Sequence, residues 1–301
     1  MIANKIVILQ RRIIFNTHSL MNKFLKLTTL LLTLLLAGCQ TGNDPENDDN
    51  NKPQGSVKNN HIIHYTSTDG QIVTPYSLEA IDAQLLSNTY EDGRGSMVFD
   101  KEITTIGKNA FLGCRTLKSV TIPESVNTLG LSCFPYCTNL AEFRGKFATE
   151  DGLCLIINNT LCAFAPASKV SEYTIPESVS VIGMAAFAEC KNLRQITIPE
   201  GTSAIGIQAF SYCNGLTKVT IPSTVSLLGE SAFYGCTSLT SVYCRPTTPP
   251  TVVKITVDDK FLAFDQNGSA RTIYVPAGSV QQYIEADDWK DYAASIKGYA
   301  F

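Results

Sequence analysis

Hydrophobic and polar positions along the middle of this chain repeat with a fixed rhythm. Short runs alternate apolar, polar, apolar and then end in proline: Val120-Thr121-Ile122-Pro123, Tyr173-Thr174-Ile175-Pro176, Ile196-Thr197-Ile198-Pro199 and Val219-Thr220-Ile221-Pro222. Alternation of this kind reads as strand. The β-branched residues favour a pleated surface, and proline, lacking an N–H, stops the ladder. Two looser copies follow, Val242-Tyr243-Cys244-Arg245-Pro246 and Ile273-Tyr274-Val275-Pro276.

A second pattern accompanies the strands. It reads Ile106-Gly107…Ala110-Phe111…Cys114, Leu129-Gly130…Cys133-Phe134…Cys137, Ile182-Gly183…Ala186-Phe187…Cys190, Ile205-Gly206…Ala209-Phe210…Cys213 and Leu228-Gly229…Ala232-Phe233…Cys236. Its cysteines step by 23, 53, 23 and 23 residues. The glycine permits a turn that most residues resist, and a stretch such as Glu230 to Cys236 suits a tight helical or 3-10 turn. A leucine three residues past each cysteine (Leu117, Leu140, Leu193, Leu216, Leu239) leads into the next strand. One such unit cannot bury its own Phe, Leu and Ile, whereas stacked units bury them on one another. The pattern therefore predicts a solenoid, mainly β, with strands about 4.8 Å apart. Phe111, Phe134, Phe187, Phe210 and Phe233 should form a spine inside it.

The long cysteine step holds extra residues near 145–174. Within them Leu153 to Ile157 and Thr160 to Phe164 flank Asn158-Asn159, which reads as a hairpin with a two-residue turn, since Asn tolerates positive φ. It should project from the solenoid or extend its sheet. Residues 61–102 lack the full repeat and read as a β-rich N-terminal cap over the first coil. At the other end, 277–301 reads as a helical cap: Ser279-x-x-Gln282 as a capping box, then Trp289, Tyr292, Ala293 and Ile296 on one helical face.

Composition adds the chain's address. Residues 1–38 carry five basic residues and no acidic ones. Without those five, 19 basic residues face 27 acidic ones, a balance of −8. A chain of that sign has no electrostatic reason to seek nucleic acid or an anionic membrane surface. Lys23 and Lys26 precede a short apolar core, Leu27 to Ala37, too short for the roughly 20 apolar residues of a stable span. Residues 1–38 thus read as a signal peptide, with Met21 as the expected true start. Its end, Leu36-Ala37-Gly38-Cys39, resembles the lipobox of bacterial lipoproteins, which implies lipidation of Cys39 and membrane attachment through that lipid alone. Residues 39–60, rich in Asn, Asp, Gly and Pro, read as a flexible tether. Its acidic cluster Asp44, Glu46, Asp48, Asp49 resembles the surface-export signals of some Gram-negative lipoproteins. A solvated linker explains the cluster equally well.

Over residues 100–276 the unit L-x-x-[IV]-x-I-P-x-x-V-x-x-[IL]-G-x-x-A-F-x-x-C resembles the BspA-like leucine-rich repeats of bacterial and protist surface proteins. That resemblance implies a leucine-rich-repeat solenoid over 103–276, and adhesion or ligand binding rather than catalysis. The partner it implies is a protein or glycan on host or neighbouring cells, and the location an outer membrane lipoprotein facing outward. It carries no ligand site with it.

The remaining chemistry reads as structural. Five of the nine cysteines beyond Cys39 share one repeat position, where a buried thiol acts as a small apolar side chain. Cys154 and Cys162 invite a disulfide by spacing. With Asn158-Asn159 as the turn, Cys154 faces Ala163 and Cys162 faces Leu155, which sets the thiols on opposite faces. Cys133-x-x-x-Cys137 is one pair without a partner pair, and a zinc site usually needs four ligands. His61 and His64, three apart on a strand, point to opposite faces. No G-x-S-x-G, Walker-type loop or G-x-G-x-x-G occurs. No catalytic residue, metal or cofactor is therefore assigned. The outward strand positions are left for binding: Arg144, Thr174, Thr197, Thr220, Tyr243 and Tyr274 in one column, with Lys218 in the next. Extended sheet faces of repeat proteins commonly bind, though threonine also fills such columns for strand propensity alone. The rival reading is a non-catalytic structural or accessory subunit of an envelope complex.

Overall fold

The 23-residue rhythm becomes a stack of coils in the computed structural model, which describes residues 59–254, 262–268 and 270–301. The signal peptide, Cys39 and the tether through residue 58 lie outside the described residues. Asn59 and Asn60, assigned to the tether by composition, are pinned instead. The Asn59 carbonyl accepts from the Ile62 amide at 3.1 Å, and that of Asn60 from the Ile103 amide at 3.0 Å.

Each coil gives a front strand, from the run ending in proline, and a short back strand, from the Ile/Leu-Gly pair. In chain order the first half has β1 (Ile62–Ser67), β2 (Leu85–Glu91), β3 (Arg94–Phe99), β4 (Thr105–Ile106), β5 (Leu117–Ile122), β6 (Thr128–Leu129) and β7 (Glu142–Gly145). Next come the hairpin strands β8 (Cys154–Ile157) and β9 (Thr160–Phe164). The second half has β10 (Glu172–Thr174), β11 (Val181–Ile182), β12 (Gln195–Thr197), β13 (Ala204–Ile205), β14 (Lys218–Ile221), β15 (Leu227–Gly229), β16 (Ser241–Cys244), β17 (Thr251–Val253) and β18 (Thr272–Pro276). Helix α1 (Val280–Glu285) and β19 (Ile296–Tyr299) end the chain. The front strands form two sheets, β2-β3-β1-β5-β7 and β10-β12-β14-β16-β18-β19; the back strands form β4-β6 and β17-β15-β13-β11-β9-β8. Within the regular repeats parallel neighbours pair residues 23 apart, as in Gln195 with Lys218 and Ile182 with Ile205, whereas β16 and β18 pair residues 31 apart and β9 and β11 residues 21 apart. At the N-terminal end, β1 lies antiparallel between β3 and β5.

The expected phenylalanine spine forms as two stacks, one in each core, and the second is longer than the repeat alone suggests. Phe111 stacks on Phe134 at 4.8 Å, Phe187 on Phe210 at 4.9 Å and Phe210 on Phe233 at 5.0 Å. Phe164 extends it, stacked on Phe187 at 4.7 Å, and Phe264 extends the other end, on Phe233 at 5.3 Å. Both extra rings follow an alanine, Ala163-Phe164 and Ala263-Phe264, and are legible as repeat signals once the cysteine is not required. Asn267 holds the cysteine position of the last unit and accepts from the Cys236 amide at 3.1 Å.

The repeat glycine works differently from the expected turn. None of Gly107, Gly130, Gly183, Gly206 and Gly229 has positive φ. A Cβ on Gly229 would sit 2.2 Å from the Ile207 amide nitrogen, and one on Gly206 2.7 Å from the Gly183 carbonyl carbon. Glycine is required because adjacent coils touch backbone to backbone there. The left-handed turns fall at two other fixed positions: Asn109, Ser132, Ala185, Gln208 and Ser231 at one, and Gly113, Tyr136, Glu189, Tyr212 and Gly235 at the other.

The 145–174 insertion lies within the stack. β9 pairs in parallel with β11, so the hairpin supplies the missing back strand. Its register departs from the simple expectation. Cys154 sits opposite Phe164 and Leu155 opposite Ala163, because a bulge at Cys162 adds one residue to β9. A bulge turns two consecutive side chains to one side, and Cys162 and Ala163 both enter the N-terminal core while Cys154 enters the C-terminal one.

The C-terminal segment also differs from its helical reading. The Ser279 side chain makes no capping hydrogen bond, since its backbone is already in the helical region at φ −107°, ψ −1°. Residues Lys290–Ser295 form a 3-10 helix, and the chain then returns as β19, parallel to β18 with Ile273 opposite Ile296. Three residues per turn keep Trp289 and Tyr292 on one buried face and rotate Ala293 out to solvent. The cap is tied down through carbonyls: Trp289 Nε1 donates to Pro250 at 2.9 Å and the Tyr283 hydroxyl to Pro246 at 2.8 Å.

Candidate binding face

Strand alternation and the 23-residue register line up outward side chains in columns. Thr174 lies beside Thr197, Thr220 beside Tyr243, Tyr243 beside Tyr274, and Tyr274 beside Lys297. The adjoining column runs Glu172, Gln195, Lys218, Ser241 and Thr272. Six of the seven face residues expected from the sequence, Thr174, Thr197, Lys218, Thr220, Tyr243 and Tyr274, thus share one sheet. Arg144 does not. It lies on β7, the edge of the other front sheet, because the hairpin interrupts the front ladder between β7 and β10. There Arg144 makes two hydrogen bonds to Glu142, both at 2.8 Å. These hold the Glu142 carboxyl below its ordinary range and raise the guanidinium further.

The two ends of the C-terminal face differ in character. The threonine end presents small hydroxyls. The far end is aromatic: Tyr243 stacks on Tyr274 at 4.8 Å, and Tyr299 meets the two rings edge-on at 5.4 and 5.5 Å. Phe301 stands edge-on to Tyr299 at 5.1 Å. Lys218 Nζ lies 4.7 Å from the Tyr243 ring centre, a cation–π contact. Tyr299 and Phe301 are 42% and 51% exposed, so the cluster presents apolar surface to solvent. Strand alternation turns Lys297 and Tyr299 outward while Ile296 enters the core, and Phe301 follows Tyr299 by two residues just past the strand's end. A helical reading of this segment hides them. The signal lies in Ile296-Lys297-Gly298-Tyr299-Ala300-Phe301, which alternates with period two. An aromatic cluster with a cation can bind by stacking and desolvation, and tyrosine and arginine often anchor interfaces.

The cysteines stay in the core. Sγ of Cys137, Cys213 and Cys236 donates to the carbonyl oxygen of Phe111, Phe187 and Phe210, at 2.9, 3.1 and 3.0 Å. Burial pushes these three thiols well above their ordinary range, and those of Cys154, Cys162 and Cys244 up to about 12. A thiol held protonated is a poor nucleophile and metal ligand. Among the described residues no three His, Cys, Asp or Glu side chains are placed to share a metal. His64 bonds Ser96 Oγ through Nδ1 at 3.1 Å, and burial lowers its pKa. Among the described residues no helix is long and apolar enough to cross a membrane.

The family described as the BspA type leucine-rich-repeat region matches the chain in six copies, over residues 64–148 and 158–279. No curated protein matches it. Among solved structures, the chain is similar to a leucine-rich cell surface protein of Faecalibacterium prausnitzii. That match has 18% identity and a TM-score of 0.43, covering 64% of this chain and 54% of the other. A leucine-rich-repeat protein of Eubacterium ventriosum matches at 24% identity and a TM-score of 0.42, over 53% and 42%. The pneumococcal vaccine antigen PcpA matches at 17% identity and a TM-score of 0.40, over 61% and 55%. The chain spans about half the length of these structures.

Proposed function

The chain belongs to the BspA type leucine-rich-repeat family, and from that premise we propose that it is a non-catalytic adhesion protein of the bacterial surface. It binds a macromolecule, foremost a protein of host or neighbouring cells, on the outward face of the sheet from β10 to β19. The carrying observation is the aromatic cluster of half-buried Tyr243 and Tyr274 with exposed Tyr299 and Phe301, and Lys218 over the Tyr243 ring. Isolated threonines suit a solvated sheet, whereas four rings gathered on one open face leave desolvation for a partner to complete. The lipobox at Leu36-Ala37-Gly38-Cys39 supports attachment to the outer membrane by a lipid on Cys39.

The test is a pull-down with the purified full-length protein against host matrix proteins, mucins and neutral glycans. Saturable binding to a protein partner is expected, weakened about tenfold or more by Tyr243→Ala combined with Tyr299→Ala. No saturable binding to any of them would discard adhesion. Protease treatment of whole cells separates the rival role: an outward adhesin is cleaved, and a subunit of a periplasmic complex survives intact.

A further inference from the structure

The same coils build a second and chemically different groove beside the front sheet. It has a volume of about 460 Å³ and opens to solvent along the turns that precede β10, β12, β14 and β16. Its walls are two repeat columns. Lys169, Asn192, Gly215 and Ser238 stand 23 residues apart at one position, and Ser171, Arg194 and Thr217 stand 23 apart at the other, with Lys191 completing the lining. The groove therefore runs along the stack, one coil per roughly 4.8 Å. Gly215 is held to glycine by the coil before it: a Cβ there would lie 2.4 Å from the Lys191 carbonyl oxygen, so no side chain fits at this point of the lining.

Its charge runs against that of the chain. Beyond the signal peptide the balance is −8, yet three cations line this one groove. Lys191 is paired with Glu189 at 2.8 Å, while Lys169 and Arg194 have no carboxylate partner among the described residues. The polar groups are already oriented. Asn192 Nδ2 donates to the Ser168 carbonyl at 2.9 Å, which leaves its Oδ1 to accept from a ligand hydroxyl. The Thr217 hydroxyl donates to the Arg194 carbonyl at 3.3 Å. The acid next along the chain from Ser171 is Glu172, which belongs to the sheet-face column with Gln195 and Lys218.

We propose that this groove is a binding site for an acidic polysaccharide, its carboxylate or sulfate groups held by Lys169 and Arg194 and its hydroxyls by Asn192 and Ser171. Arginine and lysine recognise such anions by charge-assisted hydrogen bonds. The volume falls within the range of small-ligand sites, far above the need of a lone ion. A peptide bound by strand addition or by apolar anchors would use a free sheet edge or apolar pockets, and the groove offers neither: its lining has no aromatic or aliphatic side chain. An acidic peptide shares the charge but not the hydroxyls, and polyglutamate tests it. A linear polyhydroxylated chain carrying spaced anions fits an open, polar trough of repeating donors. This site is separate from the aromatic face and stands or falls independently of it.

The experiment is surface binding of the full-length protein to heparin, polygalacturonate, neutral dextran and polyglutamate. Binding to heparin, to polygalacturonate or to both is expected, with sulfate and carboxylate distinguished by which arm responds, and none to dextran. Lys169→Gln combined with Arg194→Gln should weaken it about tenfold or more, and added salt should weaken it further. Lys118→Gln, an exposed charge on β5, should change nothing. The four side chains that would touch the ligand are exposed, so the double variant should match the parent in thermal unfolding. Failure to bind either acidic polysaccharide overturns the proposal. So does binding that survives the double variant, or polyglutamate bound as tightly as the polysaccharides.

Discussion

A cysteine suits the turn position of each coil because its thiol is small enough for the core and still donates a hydrogen bond. The ties from Cys137, Cys213 and Cys236 each reach a phenylalanine carbonyl 26 residues earlier, so the thiol joins one coil to the one before. Burial raises the pKa of these thiols, and that has a consequence for stability. A thiol raised in the folded chain keeps its proton at a pH where the unfolded chain has begun to lose it. The unfolded state then binds fewer protons, and stability falls as pH climbs. The contribution is fully present below the ordinary thiol value near pH 9 and, for Cys154, Cys162 and Cys244, is lost as pH rises toward about 12. Urea midpoints measured from pH 7 to 11 should be level at first and then decline; a midpoint that holds steady to pH 11 would refute this. The spine makes a second prediction at this scale. Phe210 is fully buried between Phe187 and Phe233, so Phe210→Ala should cost about 3–5 kcal/mol in urea unfolding. A loss below about 1 kcal/mol would mean that the neighbouring rings close the cavity.

At the scale of elements, the Asn158-Asn159 turn sets the register of a strand the solenoid needs. Both residues are left-handed, with φ 47° and 59°, and the Asn159 carbonyl accepts from the Ser180 and Val181 amides of the next coil. Asn159→Gly should be tolerated, since glycine reaches this conformation freely. Asn159→Val should cost about 1–2 kcal/mol, since a β-branched side chain resists it. Comparing the two melting temperatures checks this, and equal values would show that the turn is not what holds β9. The strands, the turn and the spine were legible because each rests on local residue chemistry: alternation, proline, tandem asparagine, Ala-Phe. What stayed hidden depends on neighbours across coils. The glycines looked like turn residues, and only the 2.2 Å approach of Ile207 to the missing Cβ of Gly229 reveals their role. The bulge at Cys162 leaves no mark in alternation, since Cys, Ala and Leu are all apolar. Ile296 to Phe301 alternates like a strand but follows a helical stretch, and pairing with β18 decides its conformation. Of the candidate face, the tyrosine and threonine columns followed from register, whereas Tyr299 and Phe301 required β19.

For the described coils as a whole, the hairpin divides one stack into two cores. Ile63, Phe111, Phe134 and Leu155 belong to the first; Phe164, Phe210, Phe233 and Trp289 belong to the second. The hairpin serves both sides, with Cys154, Leu161 and Phe164 facing the second core and Leu155 and the bulged pair Cys162 and Ala163 the first. Both strand ladders break at this same seam, front between β7 and β10 and back between β6 and the hairpin. The seam is bridged by scattered bonds and not by a ladder: the Ala167 amide donates to the Leu140 carbonyl, Ser132 Oγ to the Met184 carbonyl and the Tyr136 hydroxyl to Gln208 Oε1, each at 2.9 Å. In a repeat protein, cooperativity passes from coil to coil through nearest-neighbour interfaces, and an interface without a backbone ladder couples its sides more weakly. The two cores should therefore open as separate units. Native-state hydrogen exchange on Phe111→Ala makes the distinction. Amides of β1, β3 and β5 should lose protection strongly, while those of β12, β14 and β16 should change much less. If all of them lose protection by the same amount, the seam transmits as well as any other coil interface and the chain unfolds as one unit.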